Sequence, residues 1–218
     1  MGLVKREWLD KLNKGFDGKL GVEKRMVVMN GVEKLYNEIS NEEIGGWIEE
    51  FIERAEKPEF VDATKDLLLR NSGCNLLDWP EELVEMREIY KKCNSVYEFI
   101  DEIVRRKIWG FEYKDHIIYT TKPHTCGKSQ TSDKEACKSC TDCNPSINHK
   151  ISRRCHCWML QTIKEPKSKL FCYCGAGFYK PFFDELWDAD TKIEPVKTII
   201  AGDDDCVIAI HIPEKFRK

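Results

Sequence analysis

Two Cys-x-Cys pairs, Cys155-His156-Cys157 and Cys172-Tyr173-Cys174, flank a polar stretch that contains Pro166. Residues i and i+2 of a strand share a face. As arms of an antiparallel hairpin, the two pairs would therefore present four sulfurs on one side. With Cys155 opposite Cys174 and Cys157 opposite Cys172, four Cα atoms mark a rectangle of roughly 7 by 5 Å. That register needs a two-residue turn at Lys164-Glu165, whereas Pro166-Lys167 is the more natural centre and would demand a bulge. Four convergent thiolates are the donor set of a closed structural zinc site. Buried apolar cysteines and a cross-strand disulfide are the competing readings.

A second group lies between Lys122 and Arg154, a basic stretch almost without apolar residues. It carries Cys126 and then Cys137, Cys140 and Cys143 in Cys-x-x-Cys-x-x-Cys spacing. Such a turn lets neighbouring thiolates share one ion, and zinc would supply folding free energy that burial cannot supply there. An iron–sulfur cluster is the alternative, although Ile147 stands where a fourth cysteine would be familiar. His124 and His149 are substitute ligands. Cys74, directly after Gly73 at the end of a helical pattern, is a cleft thiol that reads equally as nucleophile, ligand or packing. Cys93 falls on an apolar stripe and reads as core.

Composition narrows the chemistry. The 218 residues carry a net charge of −3, so no global basic field points to nucleic acid. No apolar run reaches the roughly 18 residues of a membrane span, and the N-terminus lacks a signal-peptide core. The expectation is a cytoplasmic chain without a membrane partner. There, 11 cysteines, an odd number, point to metal or redox chemistry and not to a disulfide framework.

The elements that must position these thiols follow from periodicity. Residues 1–108 read as a helical scaffold. One stripe is Val28, Val32, Leu35 and Ile39. Ser40 with Glu43 caps the next, which carries Ile44, Ile48, Phe51, Ile52 and Ala55. A helix through Phe60, Thr64, Leu67 and Leu68 should stop at Gly73 as a left-handed cap. Pro80 opens another, and Ser95 with Glu98 caps the last. Residues 109–218 read as a Cys-rich antiparallel sheet region with a metal loop over 122–154, forming one compact unit with the helices. Phe111, Tyr113, Ile117 and Tyr119 alternate around a hairpin turn at Lys114-Asp115. Tyr179, Phe182, Phe183, Leu186 and Trp187 give a helix with an aromatic face. Val196, Thr198 and Ile200 make a strand, and Cys206 to Ile212, apolar on nearly both faces, a central one. The fold class is α+β: a helical layer on an antiparallel sheet with one flanking helix.

The run Phe171-Cys172-Tyr173-Cys174-Gly175-Ala176-Gly177-Phe178-Tyr179, the stretch from Pro195 to Cys206 and the closing Ile208-Ala209-Ile210-His211-Ile212-Pro213 resemble an uncharacterised microbial Cys-rich family. That family is similar to the L-2-amino-thiazoline-4-carboxylic acid hydrolase-like proteins and, more distantly, to 4-vinyl reductase domains. The resemblance spans roughly Asn71 to Pro213 and implies a helix beside an antiparallel sheet, a small apolar ligand and metal-binding cysteines. Cys74, Tyr179, Phe183 and His211 are the candidate lining of a ligand pocket.

Three functions are then in play. A zinc-containing module that binds a small molecule is favoured. A hydrolase of a small heterocyclic or amide substrate would use an open-site metal, or Cys74 with His156 or His211 as base. An iron–sulfur redox protein is the third.

Overall fold

The computed structural model describes residues 6–37, 40–74, 80–122, 155–163 and 165–217. The helices α1 (Arg6–Leu20), α2 (Val22–Val28), α3 (Asn41–Ala55), α4 (Val61–Arg70), α5 (Pro80–Lys92) and α6 (Val96–Arg105) precede a hairpin of β1 (Glu112–Lys114) and β2 (Ile117–Lys122). After the thiol segments come the short α7 (Tyr173–Ala176), α8 (Lys180–Trp187), β3 (Ile193–Lys197) and β4 (Cys206–His211). The sheet is antiparallel in the order β1-β2-β4-β3, which confirms the α+β class.

Local chemistry explains most element boundaries. At α3 the Ser40 hydroxyl accepts from Glu43 N (3.2 Å) while the Glu43 carboxylate accepts from Ser40 N (2.8 Å), the reciprocal box expected from the sequence. At α6 only half of that box forms. Ser95 Oγ accepts from Glu98 N (3.1 Å), but the Glu98 carboxylate turns to Asn94 N (2.7 Å). The stripe through Val28, Val32 and Leu35 is not one helix. Gly31, at φ 78°, breaks it, and Val32–Tyr36 continues as a 3₁₀ turn. Helix α4 ends at Arg70, before Gly73, because Trp8 Nε1 donates to the Asn71 carbonyl (2.8 Å) and holds the chain as it turns off. Gly73 is not left-handed.

The hairpin turn centres on Asp115-His116, one residue beyond the expected Lys114-Asp115. Both residues have positive φ (51° and 62°), the requirement of a two-residue primed turn. The third strand is Ile193–Lys197, earlier than expected, because Thr198 diverts the chain. Its hydroxyl accepts from Ala201 N (3.3 Å) and its own N–H donates to Asp203 Oδ2 (2.7 Å), folding Ile199–Ala201 into a 3₁₀ turn.

Two apolar cores result, and both draw on residues from either side of position 108. The first joins α1–α4 to Cys155, Leu160, Ile163, Leu170, Phe171 and Cys174. The second joins α5, α6 and α8 to the inward face of the sheet, with Phe99, Phe111, Phe182, Phe183 and Trp187 fully buried. Faces alternate along strands. Ile118, Thr120 and Lys122 therefore share the inward face with their partners Ile210, Ile208 and Cys206, while Tyr119, Ala209 and His211 share the other. Helix α8 is tied down by Lys180, only 3% exposed, whose Nζ donates to Asp184 (3.0 Å), Asp190 (2.6 Å) and the Thr191 carbonyl (2.9 Å). Between the cores, α4 packs on α7 at Gly177, where a Cβ would collide with the Leu69 carbonyl.

Candidate functional site: a thiol cluster on the seam between two cores

The hairpin expected for the two Cys-x-Cys pairs does not form. Cys157 leads into a 3₁₀ turn over Trp158–Leu160, its carbonyl accepting the Leu160 N–H (3.0 Å) and its sulfur lying beside the Met159 and Leu160 N–H groups. On the other arm Ser168 Oγ accepts from Leu170 N (3.1 Å) and starts a 3₁₀ turn, Lys169–Cys172, that runs on into α7. The physical reason lies in the apolar pattern. Leu170, Phe171 and Cys174 are the buried positions, which is helical spacing and not strand alternation. Lys167 N meanwhile donates to the Ile200 carbonyl (2.8 Å), so that arm is held by the sheet region and not by Cys155–Cys157.

The thiols nevertheless gather. On helical backbone, residues two apart point in different directions, so Cys172 and Cys174 address different neighbours. Cys172 lies beside the Thr198 hydroxyl, with Cys206 and Cys157 within electrostatic reach. Cys174 receives the Gly73 N–H (3.3 Å), lies 4.0 Å from Ser72 Oγ and faces Cys74. Ser72 also accepts from Cys74 N (3.2 Å) and donates to the Cys174 carbonyl (2.6 Å), pinning the end of α4 to α7. Cys206 accepts the Ile199 N–H (3.4 Å), and Cys155 is within electrostatic reach of its sulfur. Across the sheet, Lys122 stands in register with Cys206. Its ammonium lies 4.2 Å from the Phe178 ring centroid and 5.0 Å from that of Tyr179, with Cys74, Cys174, Cys157 and Cys206 within electrostatic reach.

Cys155, Cys157, Cys172 and Cys174 come within electrostatic range of one another without any three closing up as an ion-holding group, and Cys74 is the exposed member. Two members escaped the motif reading. Cys206 shows in sequence only as the first residue of a buried strand, and Lys122 only as the last residue before the basic loop. Tyr179 and Phe183 are buried in the second core, where Tyr179 packs on Trp109 and both pack on Phe111. His211 is not with them. It lies on the other sheet face, its Nε2 2.8 Å from Glu194 Oε1. His156 is exposed. Cys126, Cys137, Cys140 and Cys143, with His124 and His149, lie outside the described residues.

The electrostatics follow from burial and from where the donors point. Burial raises the pKa of Cys157 to about 12, helped by Cys174, and pushes Cys172 and Cys174 upward as well. In the Cys155–Cys206 pair the hydrogen bond dominates, raising Cys155 and lowering Cys206. Burial presses Lys122 down to about 8 against the pull of the thiols. For the reduced, metal-free chain, four thiols with raised pKa contribute stability that is complete below the ordinary thiol value of about 8.5. It is lost as pH rises through their folded values. Cys206, lowered to about 7, works the other way up to its ordinary value of about 8.5, and Lys122 does so between about 8 and its ordinary value near 10.4, but they are two groups against four. In chelator and reductant, the denaturant midpoint should therefore fall between pH 8.5 and 10. A midpoint that rises would contradict the burial of these sulfurs.

Residues 128–217 match the model of a family of unknown function, DUF6144. The match takes in both Cys-x-Cys pairs and Cys206, while Cys74 and Lys122 lie before it. No curated protein and no solved structure matches the chain. Among the described residues, no helix is long and apolar enough to cross a membrane. Nor do three Cys, His, Asp or Glu side chains stand together as an ion-holding group in the positions described.

Proposed function

We propose that the protein is a soft-metal-binding module, with zinc as the resident ion, held where α4, α7, the Cys155–Ile163 segment and β4 meet. The observation that carries this is the polar dressing of the sulfurs. Cys174 and Cys206 each accept a backbone N–H, and Cys157 and Cys172 have N–H and O–H groups beside them, the donor pattern that stabilises electron-rich sulfur. Purely apolar packing gives a thiol no such set of donors. The donor chemistry fits a thiolate-loving ion, and cysteine χ1 rotations, which step between staggered wells, are the movement that would close sulfurs on it. Cys155, Cys157, Cys172 and Cys174 are the proposed ligands, and Cys206 is a fifth thiol within reach. Lys122 offsets part of the negative charge of an all-thiolate centre. Cys74, at the exposed edge, is where a small molecule would meet the ion. A second ion in the loop, on Cys126, Cys137, Cys140 and Cys143, is part of the same reading.

Elemental analysis of the full chain, purified under reductant, tests this directly. The expected result is two zinc equivalents per chain. One equivalent would remove either the cluster site or the loop site, and none would remove both. Iron with a visible absorption band would replace zinc by an iron–sulfur cluster.

A further inference from the structure

We propose that the corner between α6 and β1 binds a small aromatic carboxylate, whose ring lies on the Trp109–Phe178 stack and whose charge meets the Lys122 ammonium. This goes beyond metal binding and rests on side chains other than the thiols. The corner is built from β2. Thr120 and Lys122, two residues apart, share the inward face of the sheet. Thr120 Oγ1 donates to the Trp109 carbonyl (3.0 Å) and holds that residue at φ 51°, ψ 24°. Lys122 places its ammonium 4.2 Å from the Phe178 ring centroid. Trp109 stacks on Phe178 at 5.3 Å, with 20° between the rings, and Tyr179 meets both edge-on at 5.7 and 5.0 Å. Tyr179 is buried, whereas Trp109, Phe178 and Lys122 are each half-buried.

Two features separate this corner from ordinary packing. The first is the backbone. A bulky residue in the left-handed region is strained, and such strain persists where a site needs the side chain in one place. Lys107 and Gly110 are left-handed as well (φ 55° and 62°), and of the three only Gly110 adopts that conformation freely. Filling space does not require an indole on such a backbone. The second is the lysine. The contacts shown for its ammonium are ring faces, which attract the cation but are weak acceptors for its N–H groups. Burial presses its pKa down to about 8, so at pH 7 it is mostly charged. A carboxylate is the strong acceptor for such a group, and a flat ring attached to it gains offset stacking on the half-buried indole. Ring and charge together define the ligand.

The test is calorimetric titration of the full chain at pH 7 with benzoate, with benzamide as the ring without the charge, and with acetate as the charge without the ring. Benzoate should bind about ten-fold or more tightly than benzamide, the worth of a hydrogen bond to a charged group, and more tightly than acetate. Lys122→Met should bring benzoate down to benzamide, whereas Lys122→Arg, which keeps the charge, should retain the preference. Trp109→Gly suits the left-handed backbone and should bind benzoate no better than acetate. Each titration is run as purified and after chelation under reductant, with metal content measured on the same samples. Absence of benzoate binding, equal binding of benzoate and benzamide, or an unchanged benzoate affinity in Lys122→Met would overturn the proposal. So would a preference that is lost with the ion but kept by metal-loaded Lys122→Met, because the carboxylate would then sit on the metal. A chain that shows the Lys122-dependent preference but never held an ion fails only the metal-binding reading.

Discussion

Cys172→Ser should cost the protein one metal equivalent and lower the affinity of the cluster by at least about 100-fold, which is the upper range for losing a partner of a ligand and a lower bound for losing the ligand itself. Serine keeps the approximate shape and can still bond to the Thr198 hydroxyl, so the hole left behind is small. What it loses is the soft sulfur that faces Cys206 and Cys157. Cys157→Ser should behave alike, although there the Met159 and Leu160 N–H groups retain an oxygen to donate to. Cys93→Ser is the control. Cys93 is half-buried beside the α5–α6 junction, where Glu98 and Glu102 are its charged neighbours, and it should leave metal content unchanged. Competition with a chromophoric chelator gives the affinities. If Cys172→Ser and Cys157→Ser both keep full metal content, the cluster is packing and the ion lies elsewhere.

How much of this site could be read from the sequence depends on what kind of signal each residue leaves. The two Cys-x-Cys pairs suggested a shared site, and the fold brings them within electrostatic range of one another. Their backbone was misread because i, i+2 spacing was taken for strand alternation. The helical signal was nonetheless present in Leu170-Phe171 followed by Cys174, with Ser168 placed to start the turn. Periodicity reports burial on one element, and it found the stripes of α3, α4, α6 and α8 for that reason. It cannot report which elements meet. Cys206 and Lys122 are neighbours only because β2 and β4 pair in one particular register, a long-range fact that no local pattern encodes. His211 shows the converse. It belongs to the same strand as Cys206, but an odd separation of five positions puts it on the opposite face. Lys180 left no usable mark at all. A lysine between Tyr179 and Pro181 reads as solvated, and only the fold brings Asp184, Asp190 and the Thr191 carbonyl around its ammonium.

The glycines of the α7 corner give the sharpest test of the seam itself. Gly177→Ala should destabilise the chain by about 2 kcal/mol, within the range for overpacking a tight contact. That corresponds to roughly 4–8 °C in melting temperature for a chain of this size. The added methyl would meet the Leu69 carbonyl, and the Ser72 Cβ stands 3.0 Å away. The first obstacle is backbone, so no rotamer change relieves it, and α4 must draw back from α7. Gly175→Ala is the matched comparison. It lies two residues earlier, its Cβ would meet nothing within 4 Å, and its φ is negative. Helix propensity then acts alone and should make that variant neutral or more stable by about 0.5–1 kcal/mol. The consequence reaches the thiols, because Ser72, Gly73 and Cys74 follow directly on the part of α4 that must move. Gly177→Ala should therefore loosen the Gly73 N–H to Cys174 contact and speed alkylation of Cys174 in the native protein, whereas Gly175→Ala should not. Equal melting temperatures and equal labelling rates for the two variants would mean that α4 and α7 do not approach as closely as described. The thiol cluster would then lose the wall that holds Cys74 and Cys174 together.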